Sequence, residues 1–140
     1  MLTRTCVLIL FGLMISISRP ASANSLYADL GEKPGIERLV NQAMLIWNAD
    51  PRVAPTFTET NLARFKRLIS DQICSISGGN CQYSGRSMAE AHKGLHLANL
   101  QFNAVAEDLQ TAMEQLNFSY SVQNRLLALL APMQRDVVTR

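Results

Sequence analysis

The sequence lacks most of what marks catalysis by side chains alone. It has two histidines and three cysteines in 140 residues. No G-x-S-x-G elbow presents a nucleophilic serine, and no H-E-x-x-H pair holds a catalytic zinc. A G-x-G-x-x-G turn is also missing, so the chain carries no flavin or nicotinamide unit of the Rossmann kind. Cys74 and Cys81 stand as C-x6-C, without the close spacing of a zinc hook. No apolar run reaches the roughly 20 residues of a membrane-spanning helix. Strand-like alternation, internal repeats, low-complexity tracts and linkers are absent too, which leaves one globular, helical domain as the expectation. A composition of 48% hydrophobic and 17% charged residues agrees with a folded chain rather than a disordered one.

What is present begins with a leader. Arg4 precedes an apolar run from Cys6 to Ile17, and Ala21-Ser22-Ala23 follows, the order of a charged n-region, an apolar h-region and an A-x-A cleavage site. The sequence therefore predicts a signal peptide over 1–23 and an exported, periplasmic mature domain over 24–140. Losing Arg4 and Arg19 brings the thirteen basic residues level with the eleven acidic ones. Nucleic acid and anionic membrane surfaces are accordingly not expected as partners, nor is membrane insertion of the mature chain. Export leaves Cys74 and Cys81 where thiols tend to pair. A bond between them would close a small loop and contribute roughly 2–3 kcal/mol. Two buried free thiols are the alternative.

Apolar residues recur with helical period. Ile36, Leu39, Val40, Ala43, Met44 and Trp47 form one stripe, with Pro34 just inside its start and Asp50-Pro51 just beyond its end. Thr60 or Asn61 can cap a second helix through Leu62, Phe65, Ile69, Ile73 and Cys74, with Arg64, Lys66 and Arg67 facing outward and a stop at Gly78-Gly79. A short segment around Met88 to Gly94 comes next. Two longer amphipathic helices follow, separated by a polar joint over 117–121, the last ending near Pro132. That makes four substantial helices and one or two short ones, a count that fits a four-helix bundle or a globin-like packing equally well.

The two histidines, His92 and His96, stand four apart, on one face if their segment is helical. They lack an obvious third zinc ligand, and a histidine taken alone is more often structural than a ligand. The surroundings of His92 are more telling. Gly78-Gly79, Tyr83-Ser84-Gly85, Met88 and Ala91-His92-Lys93-Gly94-Leu95 follow in order, framed by Leu26-Tyr27-x-x-Leu30-Gly31, Ala49-Asp50-Pro51, Phe57 and Ala131-Pro132. This series resembles the group 1 truncated haemoglobins over the whole mature chain.

The resemblance implies an all-α, globin-like two-over-two helical sandwich with a very short first helix around haem b. It assigns the iron to His92 and places Phe57, Tyr83 and Met88 on the haem pocket. The Gly-, Ser- and Asn-rich stretch from Ser75 to Ser87 agrees, being too poor in helix formers for a long helix before His92. His96 is then a surface or propionate-side residue.

The family pattern, carried back from His92 without gaps, puts Met44 where relatives often hold a distal tyrosine. Phe65 and Ile69 fall where they often hold glutamine or another polar side chain. The expectation is a distal pocket without a side-chain hydroxyl or amide. Losing such a hydrogen bond, worth about 1.5–3 kcal/mol to a charged acceptor, weakens oxygen retention roughly ten- to a hundredfold. Fast oxygen release and easy oxidation to the ferric form would follow. The Met44 thioether is also a candidate sixth ligand to iron.

The function implied is reversible binding of oxygen, nitric oxide or carbon monoxide, supported by an unidentified reductase or electron donor. Nitric oxide dioxygenation or a peroxidase-like side activity would need that donor. One alternative is a periplasmic haem redox sensor or electron-transfer protein using a Cys74/Cys81 couple. Another is a globin fold that has lost haem and serves as an interaction module.

Overall fold

The computed structural model of the chain describes residues 25–58 and 60–139. The leader read over 1–23 lies outside them. The described residues form α1 (Leu26–Asp29), α2 (Glu32–Ala49), a 3-10 turn (Ala54–Phe57), α3 (Leu62–Ile76), α4 (Met88–His92), α5 (Asn99–Gln115), α6 (Tyr120–Leu130), a second 3-10 turn (Ala131–Met133) and α7 (Gln134–Val137). No strand occurs among them.

Local chemistry sets most of these boundaries. Ser25 starts α1 by accepting the Ala28 N–H on its hydroxyl. Gly31, at φ +79°, then turns the chain into α2 in the left-handed region. Gly35 lies so close to the Leu30 carbonyl that a Cβ there would overlap it. Asn61 caps α3 by accepting the Arg64 N–H, and past its end Gly78 adopts φ +95° while the Gly79 N–H donates to the Cys74 carbonyl at 2.8 Å. Ser119 caps α6 in the same way as Ser25 caps α1.

Pro132 does not end the helical chain, as its position suggests. It occupies the first turn of the short 3-10 helix, where a missing N–H costs nothing, and α7 continues beyond it. Among the described residues the short α-helices therefore number three, α1, α4 and α7, rather than one or two.

Two helix pairs stack on one another, α2 against α3 and α5 against α6, with α2 also packing on α5. This is the two-over-two sandwich. The α2 stripe is buried as its period requires, from Ile36 through Leu39 and Ala43 to Trp47, and it meets Ile73 of α3, Met113 of α5 and Leu126 of α6 in one core. Each such fully buried aliphatic side chain contributes roughly 1.5–3 kcal/mol. Because α1 and α4 are single turns, neither covers the space beside α3, and a cavity opens there.

Candidate functional site

The cavity has a volume of about 600 Å³ and is bounded by α3, α4, α5, α7 and the 3-10 turn ending at Phe57. That lies within the roughly 300–1,000 Å³ of typical small-molecule sites. No helix among the described residues is long and apolar enough to cross a membrane.

The position of His92 follows from a single turn of helix. Ser87 and Glu90 close a reciprocal cap at the start of α4: the Ser87 hydroxyl accepts the Glu90 N–H, and the Glu90 carboxylate accepts from Ser87. These bonds hold the Glu90 carboxyl below the ordinary carboxylate range. The α4 helix ends on His92, on the cavity wall, where Nδ1 lies 2.7 Å from the Met88 carbonyl oxygen. A carbonyl can only accept, so Nδ1 carries a proton there. Of the two ring nitrogens, Nε2 is then the one left to ligate a metal. His96 does not join it. The chain leaves the helix at Lys93, Gly94 turns at φ +80°, and His96 is exposed at φ +52°, so the pair does not share a helical face.

Phe57, Phe65, Ile69, Tyr83 and Met88 all line the cavity with His92. Phe57 packs edge-on to Phe65 at 5.3 Å between ring centroids and stacks on Trp47 at 6.1 Å. The Trp47 indole is pinned by donating Nε1–H to the Val105 carbonyl at 3.1 Å. The Tyr83 hydroxyl donates to the Arg86 carbonyl at 2.8 Å, and burial pushes its phenol up, which keeps the donor proton in place.

Met44 is the exception. It is 4% exposed and packs into the core, and it is not among the lining residues. From α2 it is Trp47, three residues further on, that lines the cavity. The Met44 thioether lies off that lining.

Two features of the wall escape a reading by family position. Gln72 lies on it, one turn beyond Ile69, so the α3 wall is not without an amide. Its spacing of seven from Phe65 is the signal that finds it. Arg64 and Arg86 also border the cavity; Arg64 is exposed, so an outward-facing residue still contributes to the rim. Ser70 borders a separate hollow of about 210 Å³ with Lys66 and Asp71.

Cys74 and Cys81 are paired, with Cα atoms 5.8 Å apart, joining α3 to the segment that leads to Tyr83. Gly79 packs so tightly beside them that a Cβ would overlap the Cys74 sulfur and the Tyr27 ring.

Among the described residues no group of three His, Cys, Asp or Glu side chains can hold a bare metal ion. A metal that needs only one protein ligand, with its other ligands brought by an apolar macrocycle, suits this donor set. Haem meets that description: the wall offers one imidazole, an apolar aromatic surface, and two guanidinium groups that could pair with its carboxylates.

A two-over-two helical sandwich with an apolar cavity beside a single-turn helix is, by its fold, a globin. The pattern of the bacterial-like globin family matches residues 25–139. The chain is 30% identical over 111 residues to the Group 1 truncated hemoglobin of Tetrahymena pyriformis, covering 76% of this chain and 92% of that one. It is 33% identical over 90 residues to the Group 1 truncated hemoglobin GlbN of a Nostoc species, covering 64% and 76%. Among solved structures, the truncated hemoglobin from Tetrahymena pyriformis in its Fe(III) form superposes with a TM-score of 0.80 at 27% identity, over 84% of this chain and all (100%) of that one. The 2/2 hemoglobin of a Synechococcus species, with covalently attached heme, gives 0.78 at 28% identity over the same shares, 84% and 100%. The chain belongs to the bacterial-like globins, as a group 1 truncated haemoglobin.

Proposed function

We propose that this chain is a haem-binding globin that reversibly binds a diatomic gas (oxygen, nitric oxide or carbon monoxide) at an iron held by His92. The observation that carries the proposal is the His92 imidazole fixed through Nδ1 on the wall of a 600 Å³ apolar cavity. When bound, haem would supply an iron able to bind a small ligand reversibly. The chain's own residues do the rest. His92 offers Nε2, Phe57 and Phe65 exclude water, and Arg64 and Arg86 stand at the rim to pair with carboxylates. An absorption spectrum of the purified mature protein, ferric and ferrous, tests this: an intense Soret band that shifts on adding carbon monoxide is expected, and a protein that stays colourless after expression with haem supply contradicts it.

A second reading rests on the Cys74 and Cys81 pair, which ties the cavity's α3 wall to the Tyr83 segment. In it, the thiol–disulfide state tunes the haem site, as in a redox sensor or electron-transfer protein. A change of haem spectrum or gas affinity on thiol reduction supports it, and identical spectra before and after reduction count against it.

The order Arg4, apolar run, Ala21-Ser22-Ala23 supports cleavage after Ala23 and export to the periplasm. N-terminal sequencing of the protein from the periplasmic fraction should begin at Asn24. Nitric oxide dioxygenation or a peroxidase-like activity would then depend on an external reductase or electron donor, since the sequence has no G-x-G-x-x-G turn.

A further inference from the structure

The methionines of the folded domain fall into two kinds. Met44 and Met113 are sealed in the core, at 4% and 0% exposure. Met88, the first residue of α4, and Met133, the last of the second 3-10 turn, are half-buried and line the cavity. Their sulfurs converge on one atom: the Gln72 Nε2 lies 3.5 Å from the Met88 sulfur and 3.5 Å from the Met133 sulfur. Two thioethers from separate segments of the chain thus share one amide, at a wall that a small oxidant entering the cavity meets.

That amide is poorly used as a donor. Thioether sulfur is a weak acceptor, so Gln72 gains little from either contact. The Thr56 and Tyr83 hydroxyls, on the same wall, are instead spent on the carbonyls of Val53 and Arg86. Oxidation of a sulfur reverses the balance. When a hydroperoxide meets a thioether, an S–O bond forms and the O–O bond breaks. Sulfur loses two electrons, and the second peroxide oxygen leaves with its proton as water or an alcohol. The product is a sulfoxide, polar where the thioether was apolar. An unpaired polar oxygen on an apolar wall is costly, and here an N–H already points at the sulfur that would carry it.

We propose that Met88 and Met133 form a paired oxidation site: a hydroperoxide converts either thioether to the sulfoxide, and the new oxygen accepts the Gln72 N–H. The inference goes beyond the gas-binding reading and does not depend on it, because the oxidant reacts with sulfur directly. The modification falls beside His92, whose Nδ1 donates to the Met88 carbonyl. It is reversible, since methionine sulfoxide reductases return the thioether.

The test treats the purified mature chain with hydrogen peroxide, with imidazole added to block any haem iron, and locates the added oxygen by peptide mass mapping. Oxygen should appear on Met88 and Met133 while Met44 and Met113 are still unmodified. Urea unfolding before and after oxidation gives the second readout, for the native sequence and for Gln72→Leu, which removes the donor. Oxidation should shift the folding equilibrium of the variant toward the unfolded chain roughly two- to tenfold further than that of the native sequence, the worth of one hydrogen bond. Gln72→Ala serves if the leucine variant folds poorly, and each variant is compared with its own unoxidised form. Equal shifts with and without the amide would overturn Gln72 as the acceptor's partner. Oxidation of Met44 or Met113 as fast as Met88 and Met133 would overturn the site itself. The Soret band reports the haem reading separately, so failure of one is distinguishable from failure of the other.

Discussion

The Nδ1 of His92 stands 2.7 Å from the carbonyl oxygen of Met88, one turn earlier in the same short helix. This contact places a proton on Nδ1 and leaves Nε2 as the nitrogen free for a metal. The Met88 side chain, meanwhile, meets Gln72 of α3. One five-residue helix thus orients the His92 ring and touches the amide on the α3 wall.

The aromatic wall should be a measurable part of the stability. Trp47 is 1% exposed, donates to the Val105 carbonyl and stacks on Phe57. Trp47→Ala should cost about 3–5 kcal/mol through the cavity it leaves. Trp47→Phe should cost nearer 1–2 kcal/mol, from the lost hydrogen bond and partial void. Urea unfolding of the two variants checks this; a loss below about 1 kcal/mol for the alanine would show that the wall relaxes around the gap.

Reducing the Cys74 and Cys81 pair should lower stability by roughly 2–3 kcal/mol, the closure entropy of a short loop. The comparison is of urea midpoints with and without dithiothreitol, repeated with Cys74→Ser. If the three midpoints coincide, the two cysteines are not bonded in the folded protein.

Asp108 gives a pH dependence with a defined sign. It is buried, and its Oδ2 has no hydrogen-bond partner. Burial, then the neighbouring Asp50 carboxylate, push its carboxyl above 3.8, while the Arg52 guanidinium pulls the other way. A carboxyl raised on folding contributes stability that is fully present below 3.8 and is lost as pH rises through its folded value. Asp108→Asn should therefore stabilise the protein at pH 7, with the gain vanishing in acid below that point. Destabilisation by Asp108→Asn at neutral pH would mean that the Arg52 pairing, at 3.9 Å, outweighs burial.

Much of this architecture is legible in the residue pattern. The stripe from Ile36 to Trp47 becomes the buried face of α2, Asn61 caps α3, and Phe65 and Ile69 reach the cavity at their helical spacing. Met44, which the family pattern sets in the distal pocket, is buried in the core, and α2 lines the cavity through Trp47 instead. Gln72 lies outside the positions that the family pattern marks. Attention to the positions that relatives use leaves out the next turn of the same face, where the amide sits. The extension through α7 is hidden by Pro132, which reads as a stop and acts as the first turn of a new helix. Val137, buried on the cavity wall, is the product of that extension.

The most direct test is haem retention by His92→Ala, measured by Soret absorbance per mole of purified protein, with added imidazole as the rescue. Loss of the band, and its return when free imidazole fills the vacated place, is the result predicted for a ring that ligates through Nε2. Full haem content and an unaltered spectrum without imidazole would contradict the account at its centre.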